Sequence, residues 1–509
     1  MFKRKKKFSP IVTCILLTFI VIVLSGFLSL LKVQAEYSVV NRGNDLVNNV
    51  VEVNNLFSLS GIKHIFTTAV TSFTNFEPLP VLIIVLIGIG VLEKSGFLET
   101  CFTLLTKNTK KNTVTFILIF ISLILSLVGN IGFVIMLPIG ALLFKHGRRN
   151  PAGGVIATYA SLAFGTGINI FLTATDNSLM KLTLSASKLI DTDYKIGTFF
   201  ALFIMIVLLV VTAFVFTFIT ERRIMPKLPR IEYDTKETVI TNRQLRGLII
   251  GLALGFIYIL IITYMIIPGL PLSGALLDTR ADKYIDMVFG AKSLFNQGFL
   301  FIVTLLFAII GFGYGFVAKT IRHSKEVSEA LAFSLDNIGN VMVLMFFMSL
   351  FINVYNESNI GNVITAFFST ILGNVKLTGG FLVIITFIFV AITNLFNPDT
   401  ITKWTMMSAS VVPLFMNASI SPEFAQLTYV AGDTVTNGIT PLFIYFVIYI
   451  ALLEKYNDKD EVVTLFGGTK IMVPYMIYIT LIFGLVLLGW YMIGLPIGIS
   501  TLPGVIYGA

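Results

Sequence analysis

Charged residues, cysteines and histidines are all scarce in this chain of 509 residues. Only 12% of the residues are charged, whereas an ordinary soluble domain carries about 25%. The two cysteines, Cys14 and Cys101, lie in apolar surroundings, which excludes a disulfide framework and a thiolate metal site. The three histidines fall in or beside expected loops, so we expect no buried histidine that could act in catalysis or bind a metal. These absences exclude an ordinary soluble domain and argue against an enzyme in the membrane.

Apolar residues, by contrast, make up 56% of the chain. They form runs that approach or exceed the length of about 20 residues that a helix needs to cross a bilayer. We predict nine spanning helices at roughly 11–31, 79–105, 152–175, 195–220, 246–267, 296–318, 328–353, 425–451 and 472–495.

Two further apolar stretches, 113–145 and 379–418, are interrupted in the middle. The first is broken by Gly129-Asn130-Ile131-Gly132 and the second by the run from Asn394 to Asp399. We expect the two arms of each stretch to be too short to span a bilayer. Backbone polar groups that lose their hydrogen bonds at such a break are tolerated in a membrane only inside protein or beside a cavity. Interrupted segments at matching positions of two halves point to the binding site of a secondary transporter. We therefore predict two re-entrant hairpins.

The chain has a net charge of +9, and the positions of its basic residues indicate how it is oriented in the membrane. With Lys3–Lys7 in the cytoplasm, most of the 36 Lys and Arg residues fall on the cytoplasmic side, as the positive-inside rule requires. The clusters Lys107–Lys111 and Lys145–Arg149 flank the first hairpin, and both are cytoplasmic only if that hairpin re-enters. The basic residues thus indicate a multi-pass protein with its N-terminus inside, in a bacterial cytoplasmic membrane, and no nucleic-acid partner.

The order of these segments predicts an all-α polytopic membrane protein: nine transmembrane helices plus two re-entrant hairpins in an inverted repeat. We divide the chain into an N-terminal helix and outer loop (1–78), a first repeat unit (79–220), a linker with scaffold helices (221–327), a second repeat unit (328–495) and a tail (496–509). Residues 1–35 also imitate a cleavable signal peptide, but their apolar run is long for one, so we expect a retained helix.

Polar residues inside two of the predicted helices are candidate site residues. Helix 152–175 contains Asn169 beside glycines and ends near Asp176, and helix 425–451 contains Asp433, Thr436 and Asn437. A carboxylate in an apolar helix is expensive and usually faces a cavity, where it coordinates a cation or carries a proton. The alternatives are a structural ion pair or cap for Asp433 and a solvated helix end for Asp176.

The second hairpin carries a group suited to an aromatic carboxylate. Lys403 would pair with the acid, Trp404 would stack on the ring, and Asn394 would supply an amide. Alternatively, Lys403 neutralises Asp399 four residues earlier, and Trp404 faces lipid. Oxygens near Asn130, Asn394 and Thr436 could hold Na⁺; Asn130 itself cannot carry a proton.

These features predict an ion-coupled secondary transporter of a small organic anion, working by alternating access and driven by Na⁺ or H⁺. Another possibility is a dicarboxylate or short-chain carboxylate carrier of similar architecture. A channel would need polar stripes on more helices. A membrane enzyme would need a nucleophile and base, or a metal cluster, that the chain lacks.

Three stretches carry a family resemblance: Phe76–Phe97, Ala391–Phe415 and Ser421–Pro441. With them the chain resembles, over nearly its whole length, the AbgT family of p-aminobenzoyl-glutamate transporters. The resemblance implies a homodimer in a lipid membrane with nine helices and two hairpins per subunit. It also implies substrates such as p-aminobenzoyl-glutamate, or export of related compounds such as sulfonamides. The positions that match those the family uses are Asp176, Asn394, Trp404, Pro422 and Asp433.

Three positions depart from the family pattern. The family's aspartate in the first hairpin is Asn130 here, a small hydroxyl residue is Ile401, and an arginine is Val430. Losing that arginine removes a bidentate partner for a carboxylate, which lysine does not simply replace. The fold is therefore expected to carry over better than the substrate.

Overall fold

The computed structural model is a bundle of α-helices with one small β-hairpin. It describes residues 8–504 except 42, 44, 198, 230, 232–239, 291, 337, 375, 457–461 and 500, and it does not describe the side chain of Asn130. Within that part, eight helical stretches are long and apolar enough to cross a membrane. They are Pro10–Leu30, Leu59–Lys94, Lys111–Val128, Leu202–Lys227, Asn242–Met265, Leu294–Ala318, Gly339–Glu357 and Leu465–Ile493.

The described elements follow one another in two series. The first is α1 (Pro10–Leu30), β1 (Gln34–Val40), β2 (Leu46–Glu52), α2 (Leu59–Thr74), α3 (Pro78–Lys94), α4 (Phe97–Lys107), α5 (Lys111–Leu125), α6 (Asn130–His146), α7 (Pro151–Ala163), α8 (Ala174–Ser187) and α9 (Leu202–Ile219). The second is α10 (Asn242–Met265), α11 (Tyr284–Phe289), α12 (Leu294–Ala318), α13 (Ser324–Ala332), α14 (Gly339–Glu357), α15 (Ile360–Gly373), α16 (Gly379–Asn394), α17 (Thr400–Asn417), α18 (Pro422–Asn437), α19 (Phe446–Lys455) and α20 (Leu465–Ile493).

Four segments expected as single helices are each divided in two. The segment 79–105 breaks at Gly96, whose φ of 86° lies in the left-handed region, and 328–353 breaks between α13 and α14. The segments 152–175 and 425–451 break between α7 and α8 and between α18 and α19. The break after α7 contains Gly165 and Gly167, and the break after α18 begins at Gly438. The count of nine spanning helices remains a prediction.

The two interrupted stretches form helix pairs, α5 with α6 and α16 with α17. Both arms of the first pair pack on α7, and both arms of the second pack on α18. One expectation is wrong in detail. The first arm continues as a 3-10 turn to Val128, and the whole stretch Lys111–Val128 is long enough to cross a membrane by length and composition. That the two pairs are re-entrant remains a prediction.

The same order of elements occurs twice. In α3–α9 and in α14–α20, a long helix ends at a left-handed residue and is followed by a short helix, a helix pair, a broken helix and another long helix. The left-handed residues are Gly96 and Asn359. The short helix of the second series, α15, was not expected from the sequence. The division of the chain into two repeat units, and their opposite orientation across the membrane, remain predictions.

The predicted outer loop 32–76 is structured rather than irregular. Strands β1 and β2 pair antiparallel, from Gln34 opposite Glu52 to Val40 opposite Leu46, and they are followed by α2. Strand β1 packs on α15 and α17, and the hydroxyl of Thr370 donates to the carbonyl of Glu36 (2.7 Å). The β-hairpin therefore rests on α15 and on α17, the second arm of the second helix pair.

Helices α6 and α7 cross at two glycines. A Cβ built on Gly154 would lie 2.0 Å from the carbonyl oxygen of Gly140, so the two backbones are in contact. Gly432 also brings α18 near α16, because a Cβ there would lie 2.6 Å from the carbonyl oxygen of Phe387. Close approach at small residues is typical of helices packed within membranes. These crossings fix the helix pairs against the broken helices α7 and α18.

Candidate functional site

A buried ion pair joins the second helix pair to the broken helix α18. The ammonium group of Lys403 on α17 contacts the Asp433 carboxylate and donates to Oδ1 of Asn394, at the end of α16. The exposed fraction of the side chain is 0% for Lys403 and 4% for Asp433. The other carboxylate oxygen of Asp433 accepts from the Thr400 hydroxyl (2.7 Å). Lys403 therefore pairs with Asp433 and not with Asp399, which instead caps α17 by accepting from two backbone N–H groups.

Asn394 links α16 to the last turn of α18. Its amide nitrogen lies within hydrogen-bonding distance of the Asp433 carbonyl (2.6 Å), the Thr436 hydroxyl (3.0 Å) and Oδ1 of Asn437 (2.8 Å). Asn437 in turn donates to the hydroxyl of Thr166 (3.0 Å), in the non-helical stretch between α7 and α8. A single polar network thus connects the second helix pair with both broken helices.

Trp404 is wholly buried and does not face lipid, so that alternative is wrong. Its indole N–H donates to the hydroxyl of Thr183 on α8 (2.9 Å), and its ring lies 4.4 Å from that of Tyr429. The Thr183 hydroxyl also lies 2.7 Å from Oε1 of Gln426. Trp404 therefore ties α17 to α8 and α18, behind the ion pair.

Asp176 lies at the start of α8, directly after the non-helical stretch. Its carboxylate accepts from the backbone N–H of Thr173 (3.0 Å), the hydroxyl of Thr173 (2.6 Å) and the amide of Asn169 (3.0 Å). The Thr173 hydroxyl accepts from the Asp176 backbone N–H in return, which completes a capping box. Asp176 thus caps the helix, and it also lines the cavity next to it.

A cavity of about 190 Å³ lies between the first turn of α6, the stretch from α7 to α8, the start of α17, and α18. Among the residues that the structure describes, two polar atoms beside it have no hydrogen-bond partner, Oδ1 of Asn169 and Oγ1 of Thr434. A second cavity of about 50 Å³ shares Asn169, Asp176 and Val430 with the first. The residues that line the larger cavity are Ser126, Leu127, Gly129, Phe133, Thr166, Gly167, Asn169, Thr173, Thr175, Asp176, Leu179, Thr400, Val430, Asp433, Thr434, Asn437 and Phe443.

Two predicted site residues lie apart from this centre or outside the described atoms. Pro422 is the first residue of α18, eleven positions before Asp433, which corresponds to about 16 Å along a helix. The side chain of Asn130 is not described, although the preceding Gly129 lines the cavity. At the predicted Na⁺ position, Asn394 Oδ1 accepts from Lys403, and the Thr436 hydroxyl donates to the carbonyl of Ala391 (3.0 Å). A cation there remains a prediction.

Three threonines of the centre were not among the predicted site residues. Thr400 bonds Asp433, Thr166 bonds Asn437, and Thr183 joins Trp404 to α18. Thr400 and Thr166 lie at breaks that the sequence does reveal, so a search for hydroxyl groups at those breaks would have found them. Thr183 lies within α8 and carries no such signal.

The fold combines several long apolar helices with two broken helices and a polar cavity between them. This architecture is typical of a multi-pass membrane transporter. The chain belongs to the AbgT family of transporters, whose sequence profile matches residues 6–504. It is 25% identical over 500 residues to the p-aminobenzoyl-glutamate transport protein of Escherichia coli K12, and the match covers 97% of this chain and 94% of that protein. The chain is therefore a transporter and not an enzyme.

Two solved structures are also similar. The YdaH transporter of Alcanivorax borkumensis is 24% identical, with a TM-score of 0.48 over 96% of this chain and 100% of that one. MtrF of Neisseria gonorrhoeae, described with a class of antimetabolite efflux pumps, is 26% identical, with a TM-score of 0.49 over 98% of each chain.

Proposed function

We propose that the protein is an ion-coupled secondary transporter of small aromatic or amino-acid-conjugated organic anions. The substrates would be p-aminobenzoyl-glutamate-like compounds, or related compounds such as sulfonamides that the protein exports. One observation supports this most strongly. The cavity beside Asp433 lies between a helix pair and the breaks of α7 and α18, where secondary transporters bind their substrates.

The lining of the cavity suits an aromatic solute. Phe133, Phe443 and Leu179 supply apolar surface, and Asn169, Thr434 and Asn437 supply polar atoms. Small-molecule sites commonly combine apolar walls with a few placed polar groups. A ring would lie against the phenylalanines while its substituents bond the polar atoms.

The polar network supports a coupled movement of α17 against α18. Asn394, Thr400 and Lys403 belong to the second helix pair, and all three bond Asp433. An ion or proton that changes the charge of Asp433 would weaken the contact with Lys403, and the helix pair could then separate from α18. Asp433 is therefore the proposed coupling carboxylate, and Na⁺ or H⁺ is the proposed coupling ion.

The distribution of positive charge supports the orientation in the membrane, and the family resemblance supports a dimer. We propose a bacterial cytoplasmic membrane, a cytoplasmic N-terminus and a homodimer. Cross-linking in native membranes tests the dimer, and the accessibility of a tag at the N-terminus tests the orientation.

The function is tested by flux into proteoliposomes of purified protein. Labelled p-aminobenzoyl-glutamate and labelled sulfanilamide are offered separately under an imposed Na⁺ or H⁺ gradient. We expect gradient-driven movement of at least one solute, and its loss in Asp433→Asn. Asp282→Asn in an exposed loop is the matched control and should transport normally. Failure of both solutes to move with either gradient would refute the proposal.

A further inference from the structure

A groove of about 440 Å³ lies between the first turns of α5 and the last turns of α9. None of the described residues that line it also lines the two cavities at Asp176. Both helices belong to stretches long and apolar enough to cross a membrane, Lys111–Val128 and Leu202–Lys227. Their ends at the groove carry basic residues of the predicted cytoplasmic side. The groove is therefore expected where the hydrocarbon of the bilayer meets the cytoplasmic headgroups.

Three phenylalanine rings form the apolar part of the groove. The ring of Phe116 on α5 lies 4.8 Å from that of Phe214 on α9, and Phe218 follows one turn later. Phe214 and Phe218 are 62% and 54% exposed. An apolar patch that a protein leaves open in this way marks a site of contact with a partner or with the membrane. At this depth in the bilayer, the partner available to the rings is a lipid chain.

The polar end of the groove carries a positive charge that the described part of the protein does not neutralise. The carboxylate of Glu221 is already paired, because it accepts from the guanidinium of Arg149 and from the hydroxyl of Thr115. The side chain of Arg222 is exposed, and no ion pair or hydrogen bond joins it to any described residue. The groove therefore offers a guanidinium group to an anion.

The local backbone at the end of α9 separates Arg222 from the neighbouring charges. Here α9 passes into a π-helical turn, Thr220–Ile224, a rare conformation that is frequent at functional sites. Arg223 donates to the hydroxyl of Tyr478 (2.8 Å), whereas Arg222 lines the groove. The two arginines therefore have different surroundings, and only Arg222 lies beside the phenylalanine rings.

The start of α5 adds hydrogen-bond donors across from Arg222. Asn112 and Thr113 line the groove, and Lys110 and Lys111 are exposed next to them. The helix begins without a side-chain cap, and the N–H groups of a helix start favour a negatively charged group. Arginine binds a phosphate through two parallel hydrogen bonds. Charge, donors and aromatic surface thus match the phosphate and the acyl chain of a phospholipid.

We propose that the α5–α9 groove binds an anionic phospholipid of the cytoplasmic leaflet. Its phosphate lies between Arg222 and the start of α5, and an acyl chain lies on the rings of Phe116, Phe214 and Phe218. Basic pockets between membrane helices on this side select anionic headgroups. A zwitterionic lipid binds less well, because its own ammonium group is repelled by the guanidinium. The site is separate from the cavity beside Asp433 and does not depend on the proposed function.

The experiment is native mass spectrometry of the purified full-length protein titrated with single lipids. Dioleoyl phosphatidylglycerol is the anionic probe, and dioleoyl phosphatidylcholine, with the same chains, is the zwitterionic one. We expect wild type to bind phosphatidylglycerol at least fivefold more tightly. Arg222→Gln should lower this preference at least threefold, and Arg222→Lys should keep most of it. Arg243→Gln removes an exposed arginine at the start of α10, outside the groove, and should leave the preference unchanged.

Two further measurements separate the contribution of the chains from that of the headgroup. Phe214→Ala should weaken the binding of both lipids at least threefold and leave their ratio unchanged, because it removes apolar surface without changing the charge. Glycerol phosphate in large excess should not displace phosphatidylglycerol, since it has no chain to lie on the rings. Its displacement of the lipid would assign the groove to a free phosphate and overturn the proposal.

The remaining results also decide for or against the lipid site. Equal binding of the two lipids by wild type would overturn it, as would an unchanged preference in folded Arg222→Gln or an equal loss in Arg243→Gln. If Arg222→Gln does not fold, the wild-type preference and the response of Phe214→Ala decide together. None of these outcomes bears on the flux of aromatic solutes, so the proposed function is tested separately.

Discussion

The buried pair of Lys403 and Asp433 allows a quantitative test of the central network. We consider Lys403→Met, which keeps most of the length and volume of the side chain and removes its charge. The Asp433 carboxylate, with 4% of its side chain exposed, would then lie in the protein interior without a cation. Breaking a buried ion pair by removing one partner typically costs about 3–5 kcal/mol. We therefore expect the free energy of unfolding to fall by about that amount.

A surface pair in the same chain is the matched control. Lys94 and Glu329 lie 3.7 Å apart, and 37% and 46% of their side chains are exposed. Exposed pairs of this kind contribute about 0–1 kcal/mol, because water and salt screen the charges. Lys94→Met should therefore leave the unfolding free energy nearly unchanged.

The assay is unfolding in mixed micelles by titration with sodium dodecyl sulfate, followed by tryptophan fluorescence. Lys403→Met, Asp433→Asn and the double variant complete a cycle with wild type. We expect the double variant to be less destabilised than the sum of the two singles by at least about 1 kcal/mol, because it leaves no buried charge unpaired. A loss in Lys403→Met no larger than that in Lys94→Met would refute the buried pairing.

Two further changes test the packing around the site. Thr183→Val leaves the indole N–H of the buried Trp404 without its acceptor, and we expect a loss of about 1–3 kcal/mol in the same titration. Thr217→Val is its control, since the Thr217 hydroxyl donates only to the carbonyl one turn earlier on α9. Gly154→Ala places a methyl group where the carbonyl of Gly140 lies 2.0 Å away, and we expect a loss of about 1–3 kcal/mol or more from the forced separation of α6 and α7.

The glycine prediction has its own control in α20. A Cβ on Gly489 would meet nothing within 4 Å, so Gly489→Ala should be neutral or stabilising by up to about 1 kcal/mol, the helix-propensity difference. Equal effects of the two substitutions would show that the α6–α7 crossing is looser than described.

The breaks in the helices could be predicted because they are determined by the residues at the breaks themselves. Gly129 and the run from Asn394 to Asp399 interrupt apolar sequence, and the helices end at both places. Asp433 and Asn394 could be singled out for the same reason, because polar groups within apolar segments are conspicuous. Their presence in one network agrees with that inference.

The pairing of charges could not be predicted, because it is set by tertiary contacts. Asp399 is four residues from Lys403 and was the nearest candidate partner, yet it caps α17 while Lys403 reaches Asp433, 30 positions away. The strands of the 32–76 loop and the helix α15 were missed for another reason. They are short, and their stability depends on packing against other elements more than on their own sequence.

The most direct test of the account is the accessibility of position 430 from the two sides of the membrane. Cys14 and Cys101 are replaced by alanine, Val430→Cys is reconstituted in known orientation, and a membrane-impermeant thiol reagent is added to one side at a time. The account predicts labelling from both sides, because the cavity is the alternating-access site, and protection by the transported aromatic solute. Labelling from one side only under every ion gradient, unaffected by that solute, would contradict it.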